Sequence, residues 1–290
     1  MQPQSYLFPT SASQAVDMLT QYDGQALLIS GGTDLMLWMK EGKKAPAALI
    51  DLDRIEQLHQ WRREGDMISL GAALTHGQVA RDPQLRALFP NLCQGCGSVG
   101  APQTRNIGTI GGNIVSAQPA ADASINLVAL DACCEIISAA GSRIVPIETL
   151  FLGVGKSALD AGRELMTRVL VPIPRQPYAT AYQRMSPRNA LSLPVINVAV
   201  RLTAEQGCIS DARIVAAPVA VTPLRLRATE QLLLGRSLQE SGLVAQAGEL
   251  AVNEVHPRDS LQRGSGAYRK QLVRTLTEAA LEQCLAQLTQ

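Results

Sequence analysis

Ile29-Ser30-Gly31-Gly32-Thr33-Asp34-Leu35 and, some eighty residues later, Arg105-Asn106-Ile107-Gly108-Thr109-Ile110-Gly111-Gly112-Asn113-Ile114 carry the strongest signal in this chain. The first stretch follows the apolar run Ala26-Leu27-Leu28. Consecutive glycines bring backbone N–H groups close to an oxyanion, because no Cβ stands in the way. Turned N–H groups form an anion-binding nest, and the start of a following helix adds its dipole. Thr33 and Thr109 can add hydroxyl donors, and Asp34 or Asn113 can hold a hydroxyl of a ribose or ribityl chain. One such turn is an ordinary loop signal. Two of similar chemistry point to two cradles closing on a single anionic cofactor.

Outward from the first turn, Ser11-Ala12-Ser13-Gln14 has the form of a capping box, and Ala15, Val16 and Leu19 continue it at helical spacing. Ala26–Ile29 and Ala48–Ile50 read as short buried strands, which makes a strand–turn–helix–strand beginning. Met67–Leu70 predicts a strand, and Asp82-Pro83 an N-cap followed by proline at the first helical position. Beyond the second turn, Asp122 to Leu130 reads as a helix, and Cys134–Ser138 with Arg143–Ile147 as a hairpin around Ala140-Gly141. Three prolines between Pro172 and Pro177 mark a boundary. After it come three longer strands, Ala179–Met185, Val195–Leu202 and Ala212–Val219. Helices close the chain, the last over Ala267 to Leu288 with Leu272, Val273, Leu276 and Ala280 on one face. Strands followed by helices predict an α+β second domain.

The chain has 290 residues, 46% hydrophobic and 18% charged, enough for a folded protein of two domains. A net charge of +1 gives no electrostatic reason for nucleic acid or an anionic membrane as partner. No apolar stretch approaches the roughly 20 residues of a membrane span, and Met1–Ser11 lacks a secretory signal. The six cysteines are expected to be thiols in a reducing cytoplasm.

Other motifs carry less weight. Gly153-Val154-Gly155-Lys156-Ser157 has the tail of a P-loop, but Leu150 stands where its first glycine belongs. Cys93-Gln94-Gly95-Cys96 is a single CxxC with no second pair. Cys133-Cys134 cannot readily complete a ligand set, since neighbouring side chains on a strand diverge. No metal site and no catalytic residue is expected. His59, His76 and His256 sit in no nucleophile signature.

The two glycine turns resemble the FAD signatures of the flavoprotein (medium) subunit of the molybdenum hydroxylase family, which includes xanthine dehydrogenase and carbon monoxide dehydrogenase. The similarity continues through Ala117-x-Pro119-Ala120-Ala121-Asp122, Phe151-x-Gly153-x-Gly155-Lys156 and Gly264-Ser265-x-Ala267-Tyr268-Arg269, over nearly the whole chain. It departs at Tyr182-Gln183, where the family often has lysine after the aromatic, and at Ala190-Leu191-Ser192-Leu193, where it often has an acid.

The resemblance implies an α+β fold: a para-cresol methylhydroxylase-type FAD-binding domain of two α/β subdomains, then an α+β C-terminal domain of the carbon monoxide dehydrogenase flavoprotein type. The expected bounds are 1–175, with subdomains at about 1–55 and 56–175, and 178–288. It implies non-covalent FAD held by Ile29, Ser30, Gly31, Gly32, Thr33, Asp34 and Leu35 on one side of the diphosphate. Thr109, Ile110, Gly111, Gly112 and Asn113 would hold the other side. Ala72 and Thr75 would flank the cofactor, Asp122 would bind its adenosine or ribityl part, Leu165 and Met166 would pack on it, and Tyr182 would shield a flavin face. It also implies an electron-transfer role beside a small [2Fe–2S] subunit and a large molybdopterin subunit, with NAD+ as acceptor. This chain has no cysteine run for such clusters of its own. A self-sufficient FAD-dependent oxidoreductase is the alternative.

Overall fold

The structure, a computed structural model, describes residues 3–289. The chain forms two compact units. The first comprises residues 1–79, 102–117 and 131–172, and the second 80–101, 118–130 and 173–290. Neither unit is continuous. The segments 80–101 and 118–130 pack with the C-terminal residues rather than with their neighbours in sequence, a division that hydropathy patterns do not announce. The last switch falls at Pro172–Ile173, beside the proline-rich stretch.

The first unit begins with a parallel three-stranded sheet in which Ala48–Asp51 lies between Ser5–Leu7 and Ala26–Ile29. The helix Ala12–Gln21 is capped by Ser11, whose Oγ accepts from the Gln14 amide at 3.2 Å. Gln14 Oε1 reaches back to the Thr10 amide at 2.7 Å, one residue earlier than in a standard capping box. Ala15, Val16 and Leu19 of this helix form a core with Ala26, Ala48, Ile50 and Leu165. An antiparallel five-stranded sheet follows. Its centre is Leu165–Pro172, flanked by Met67–Gly71 with Trp61–Glu64 on one side and by the hairpin Cys133–Ser138/Gly141–Pro146 on the other. The pairing of the central strand with Cys133–Ser138 shifts between Met166 and Arg168. Between them, the Thr167 carbonyl takes the Ala72 amide at 3.0 Å. That bond ties the sheet to the segment on which the second glycine turn is built.

The second unit holds an antiparallel sheet in the order Tyr178–Met185, Ile196–Glu205, Cys208–Ala217, Leu224–Arg225. Ile196–Ala204 is buried at nine consecutive positions, so both sheet faces are covered and the strand reads as a continuous apolar run rather than an alternating one. The helices Leu243–Glu254 and Gly266–Leu288 pack into this core through Ala247, Ala251, Leu272, Val273 and Ala280. Pro83–Leu88 starts as the sequence predicts, with Asp82 Oδ1 accepting the Gln84 and Leu85 amides at 2.9 Å each. The helix Pro90–Ser98, which holds the CxxC, and the helix Asp122–Ala129 complete the layer.

Gly95 sets the spacing of these two helices. A Cβ there would lie 2.3 Å from Asn126 Nδ2 and 2.6 Å from the Asp122 carbonyl oxygen. The amide side chain can turn away, but the carbonyl cannot. Alanine gains about 1 kcal/mol in helix propensity over glycine, and overpacking costs about 1–3 kcal/mol. The clash prevails: Gly95→Ala is expected to lower the urea midpoint by an amount worth roughly 1–2 kcal/mol, with unchanged slope.

Candidate functional site

The two glycine turns both belong to the first unit, and they meet backbone to backbone. A Cβ on Gly31 would stand 2.0 Å from the Ile107 carbonyl oxygen and 3.0 Å from Gly108 Cα. Only glycine permits that approach. Gly111 is held in the same way, since its Cβ would lie 2.7 Å from the Ala72 carbonyl oxygen, which accepts the Gly111 amide at 2.8 Å. Gly32 has φ +68°, in the left-handed region, and leads into the short helix Leu35–Lys40.

The turns differ in what their amides do. The N–H groups of Gly31, Gly32, Thr33 and Asp34 have no acceptor among the described residues. Along the second turn all the donors from Gly108 to Asn113 except the Thr109 amide are spent inside the protein. Gly108 donates to the Thr104 carbonyl, Ile110 to Leu74, Gly111 to Ala72, Gly112 to Thr109 Oγ1 and Asn113 to the Thr109 carbonyl. Thr109 is the N-cap of the helix Ile110–Val115. The first turn is thus an open nest of four adjacent donors around a left-handed glycine, and the second is its buttress. Four free N–H groups fit an oxyanion such as a diphosphate, which would engage them together.

The remaining residues of the first unit take identifiable places. Ile29 is buried, and its carbonyl accepts the Leu52 amide at 2.9 Å; Ser30 and Leu35 are half-buried. Asp34 is exposed, yet protein packed around it raises its carboxyl above the ordinary value. Thr75 is a helix cap: Gln78 Oε1 accepts its amide at 2.8 Å and its hydroxyl at 2.9 Å, and its Oγ1 accepts the Gln78 amide. Ala72, Leu165 and Met166 are buried, Leu165 within the core behind the parallel sheet. Gly112 is exposed and Asn113 half-buried. His76 is the residue that sequence patterns undervalue. Its amide donates to the Gly108 carbonyl at 2.9 Å, and its buried ring and Thr33 Oγ1 each lie beside Gly108. Its Nδ1 is buried without a partner. Burial, aided by the Arg105 charge, pushes the imidazole down to about 4.

A sequence profile described as the FAD binding domain in molybdopterin dehydrogenase matches residues 2–174, and one described as the CO dehydrogenase flavoprotein C-terminal domain matches residues 181–284. The chain belongs to this family. It is 28% identical over 283 residues to the xanthine dehydrogenase FAD-binding subunit of Escherichia coli O157:H7, covering 97% of this chain and 96% of that one. The corresponding chain in the structure of carbon monoxide dehydrogenase from Hydrogenophaga pseudoflava superposes with a TM-score of 0.92 at 30% identity, covering 99% of both chains. A chain of quinoline 2-oxidoreductase from Pseudomonas putida 86 gives 0.89 at 26% identity and 98% coverage of each.

In the second unit of this molybdopterin-dehydrogenase FAD protein, Asp122 and Tyr182 form part of a buried polar knot. Asp122 Oδ1 accepts from Tyr182 Oη at 2.5 Å, Arg184 Nε at 2.9 Å and Asn197 Nδ2 at 3.1 Å. Tyr182 is 1% exposed, with its ring in the protein interior and its hydroxyl committed to Asp122. Burial raises the Asp122 carboxyl above its ordinary value, against the pull of Arg184. Arg184 was not marked by any sequence motif. Its other nitrogens hold Ser186 Oγ at 2.5 Å and the Ser192 carbonyl, so one guanidinium ties Asp122 to the loop that carries Leu191 and Leu193. Leu191 has φ +51°, its amide donates to the Gly100 carbonyl at 3.2 Å, and both leucines are exposed.

The decoy motifs resolve simply. Gly153–Ser157 is a hairpin turn between Phe151–Gly153 and Lys156–Ser157, not a loop feeding a helix. Cys93 and Cys96 lie buried on one helix, and burial pushes the Cys93 thiol up to about 11 and Cys96 further. Among the described residues no group of three or more His, Cys, Asp or Glu is placed to hold a metal. Among the described residues no helix is long and apolar enough to cross a membrane.

Two outcomes are expected. Because the folded pKa of His76 lies below the ordinary 6.5, its contribution is fully present above about pH 6.5 and is lost as pH falls toward 4. Denaturant titrations at pH 7 and 4 should show wild type losing roughly 3 kcal/mol that His76→Gln keeps. Arg184→Met strands the buried Asp122 carboxylate and should destabilise the protein by about 3 kcal/mol. Adding Asp122→Asn should recover part of that loss in the same titration.

Proposed function

We propose that this chain is the FAD-carrying electron-transfer subunit of a molybdenum hydroxylase complex. It stands between the [2Fe–2S] clusters of a small partner subunit and an acceptor, NAD+, while a large molybdopterin subunit handles the organic substrate. The observation that carries this reading is the open nest at Gly31–Asp34, locked by the Gly31–Ile107 approach and set in a chain of this family. Bound FAD supplies the conversion between two-electron and one-electron transfer.

The protein's own residues account for binding and orientation. The amides of Gly31, Gly32, Thr33 and Asp34 would hold the diphosphate, and the Thr33 hydroxyl stands beside them. Thr109, Ile110, Gly111, Gly112 and Asn113 fix the opposite wall, with the exposed face of Gly112 leaving room for the ligand. Ala72, Thr75 and His76 hold that wall in place from behind. We assign the cofactor to the 1–175 domain. The buried knot of Asp122, Tyr182, Arg184 and Asn197 organises the second unit, and its role is structural support.

The test is direct. The purified chain, titrated with FAD, is expected to turn yellow at one flavin per chain, and the complex isolated through it should contain iron and molybdenum and reduce NAD+. Gly31→Ala should lose most of its flavin, whereas Gly153→Ala, whose Cβ meets only Lys156 Cδ at 3.9 Å, should keep it. A chain that stays colourless with excess FAD contradicts the proposal. A chain that oxidises a substrate by itself, with no partner, supports the self-sufficient alternative instead.

A further inference from the structure

His76 is a polar side chain in a place that an apolar ring would fill more favourably. It is 2% exposed. A neutral imidazole carries one N–H donor and one bare nitrogen acceptor. This ring makes no hydrogen bond among the described residues, and its Nδ1 is fully enclosed. The bond from the His76 amide to the Gly108 carbonyl belongs to the backbone and needs no imidazole. The charge acting on the ring is Arg105, at the end of the helix Pro102–Arg105, and like burial it disfavours the imidazolium. Buried polar groups left unpaired are destabilising, so packing alone does not account for a histidine here.

The groups around the ring show what it can serve. Gly108 has no side chain, and the point its Cβ would occupy is 3.5 Å from His76 Cδ2 and 3.6 Å from Thr33 Oγ1. Ring and hydroxyl therefore flank one small gap, and Nε2 is bonded to the ring carbon that borders it. Thr33 Oγ1 also lacks a hydrogen-bond partner among the described residues. The other two threonines of the site are committed to caps, Thr75 with Gln78 and Thr109 with the Gly112 amide. Thr33 is exposed, and its amide is one of the four open donors of the nest. It stands between a buried imidazole and the place of an oxyanion. A donor to a hydroxyl oxygen orients that hydroxyl's own proton toward the next acceptor, and chained hydrogen bonds strengthen one another.

We propose that His76 is a positioning residue of the flavin site: its Nε2–H donates to Thr33 Oγ1, directly or through one water, and so aims the Thr33 hydroxyl proton at the diphosphate in the nest. This rests on the proposed flavin site at Gly31–Asp34 and adds to it a polar relay reaching from the interior. A phenyl ring would fill the same space and support the wall equally well, but it could not orient the hydroxyl.

The test titrates the purified full-length chain with FAD, follows flavin fluorescence, and reads each variant's melting temperature before FAD is added. His76→Phe keeps a ring of similar size without its nitrogens. It should bind FAD roughly tenfold more weakly or worse, with a melting temperature equal to or above that of wild type. His76→Gln returns a neutral N–H and should stay within about threefold of wild type. Thr33→Val should weaken binding about as much as His76→Phe, and the double variant should be no more than about threefold weaker than either, since both break one relay. A purely packing role predicts affinity that follows melting temperature and no rescue by glutamine, and that pattern overturns the proposal. So does His76→Phe binding within about threefold of wild type, or losses that multiply in the double variant. If His76→Phe does not fold, imidazole 15N spectra of wild type decide. FAD should bring out a slowly exchanging Nε2–H, and a His76 spectrum unchanged by FAD overturns the proposal. Wild type that binds no FAD overturns the flavin assignment as well, an outcome distinct from losses confined to the variants.

Discussion

The contact between Gly31 and the Ile107 carbonyl is the constraint on which the first unit's site depends. It brings two turns from distant parts of the sequence to a separation that any Cβ would forbid. Once the turns are locked, the second can use its amides to secure itself to Thr104, Leu74, Ala72 and Thr109, and the first keeps four amides free. The same geometry carries the load back into the fold. Gly111 is bonded to Ala72, and Ala72 to Thr167 where the central strand's pairing is irregular. A nest built on a loop is thereby held by a sheet, and such preorganisation lowers the ordering cost of binding.

The second unit is organised by a different device. Asp122 is deeply buried, and its Oδ1 collects a phenol, a guanidinium and an amide. Burial of a carboxylate is unfavourable unless its hydrogen bonds are made. Here they join a helix from the middle of the sequence to two strands near its end, which explains why residues 118–130 belong to the later unit. Arg184 extends the knot to the Ser186–Pro194 loop, so a loop with two exposed leucines is tethered to a buried acid.

Much of this was legible in the sequence, and the reasons are local. The glycine turns, the Ser11 and Asp82 caps, the Ala140-Gly141 hairpin and the last helix are each set by residues near one another, and they form as expected. The family and the α+β fold followed from the long second motif. What was not legible depends on long-range partners. The motif shows two similar turns, but only the fold shows that one has free amides and the other does not. The resemblance makes Tyr182 a flavin shield, and nothing in the sequence signals that its buried hydroxyl bonds to Asp122, sixty residues earlier. Arg184 and His76 stand in no recognisable pattern, because their significance lies in burial and in the groups brought to them.

The central claim is that the two turns are unequal, the first giving the free donors and the second the support. Amide-resolved hydrogen exchange with millisecond labelling, with and without FAD, tests it most directly. The account predicts strong new protection at Gly31–Asp34 on adding FAD and little change at Ile110–Asn113, whose amides are already bonded. Protection confined to Ile110–Asn113, with Gly31–Asp34 exchanging as before, would contradict it.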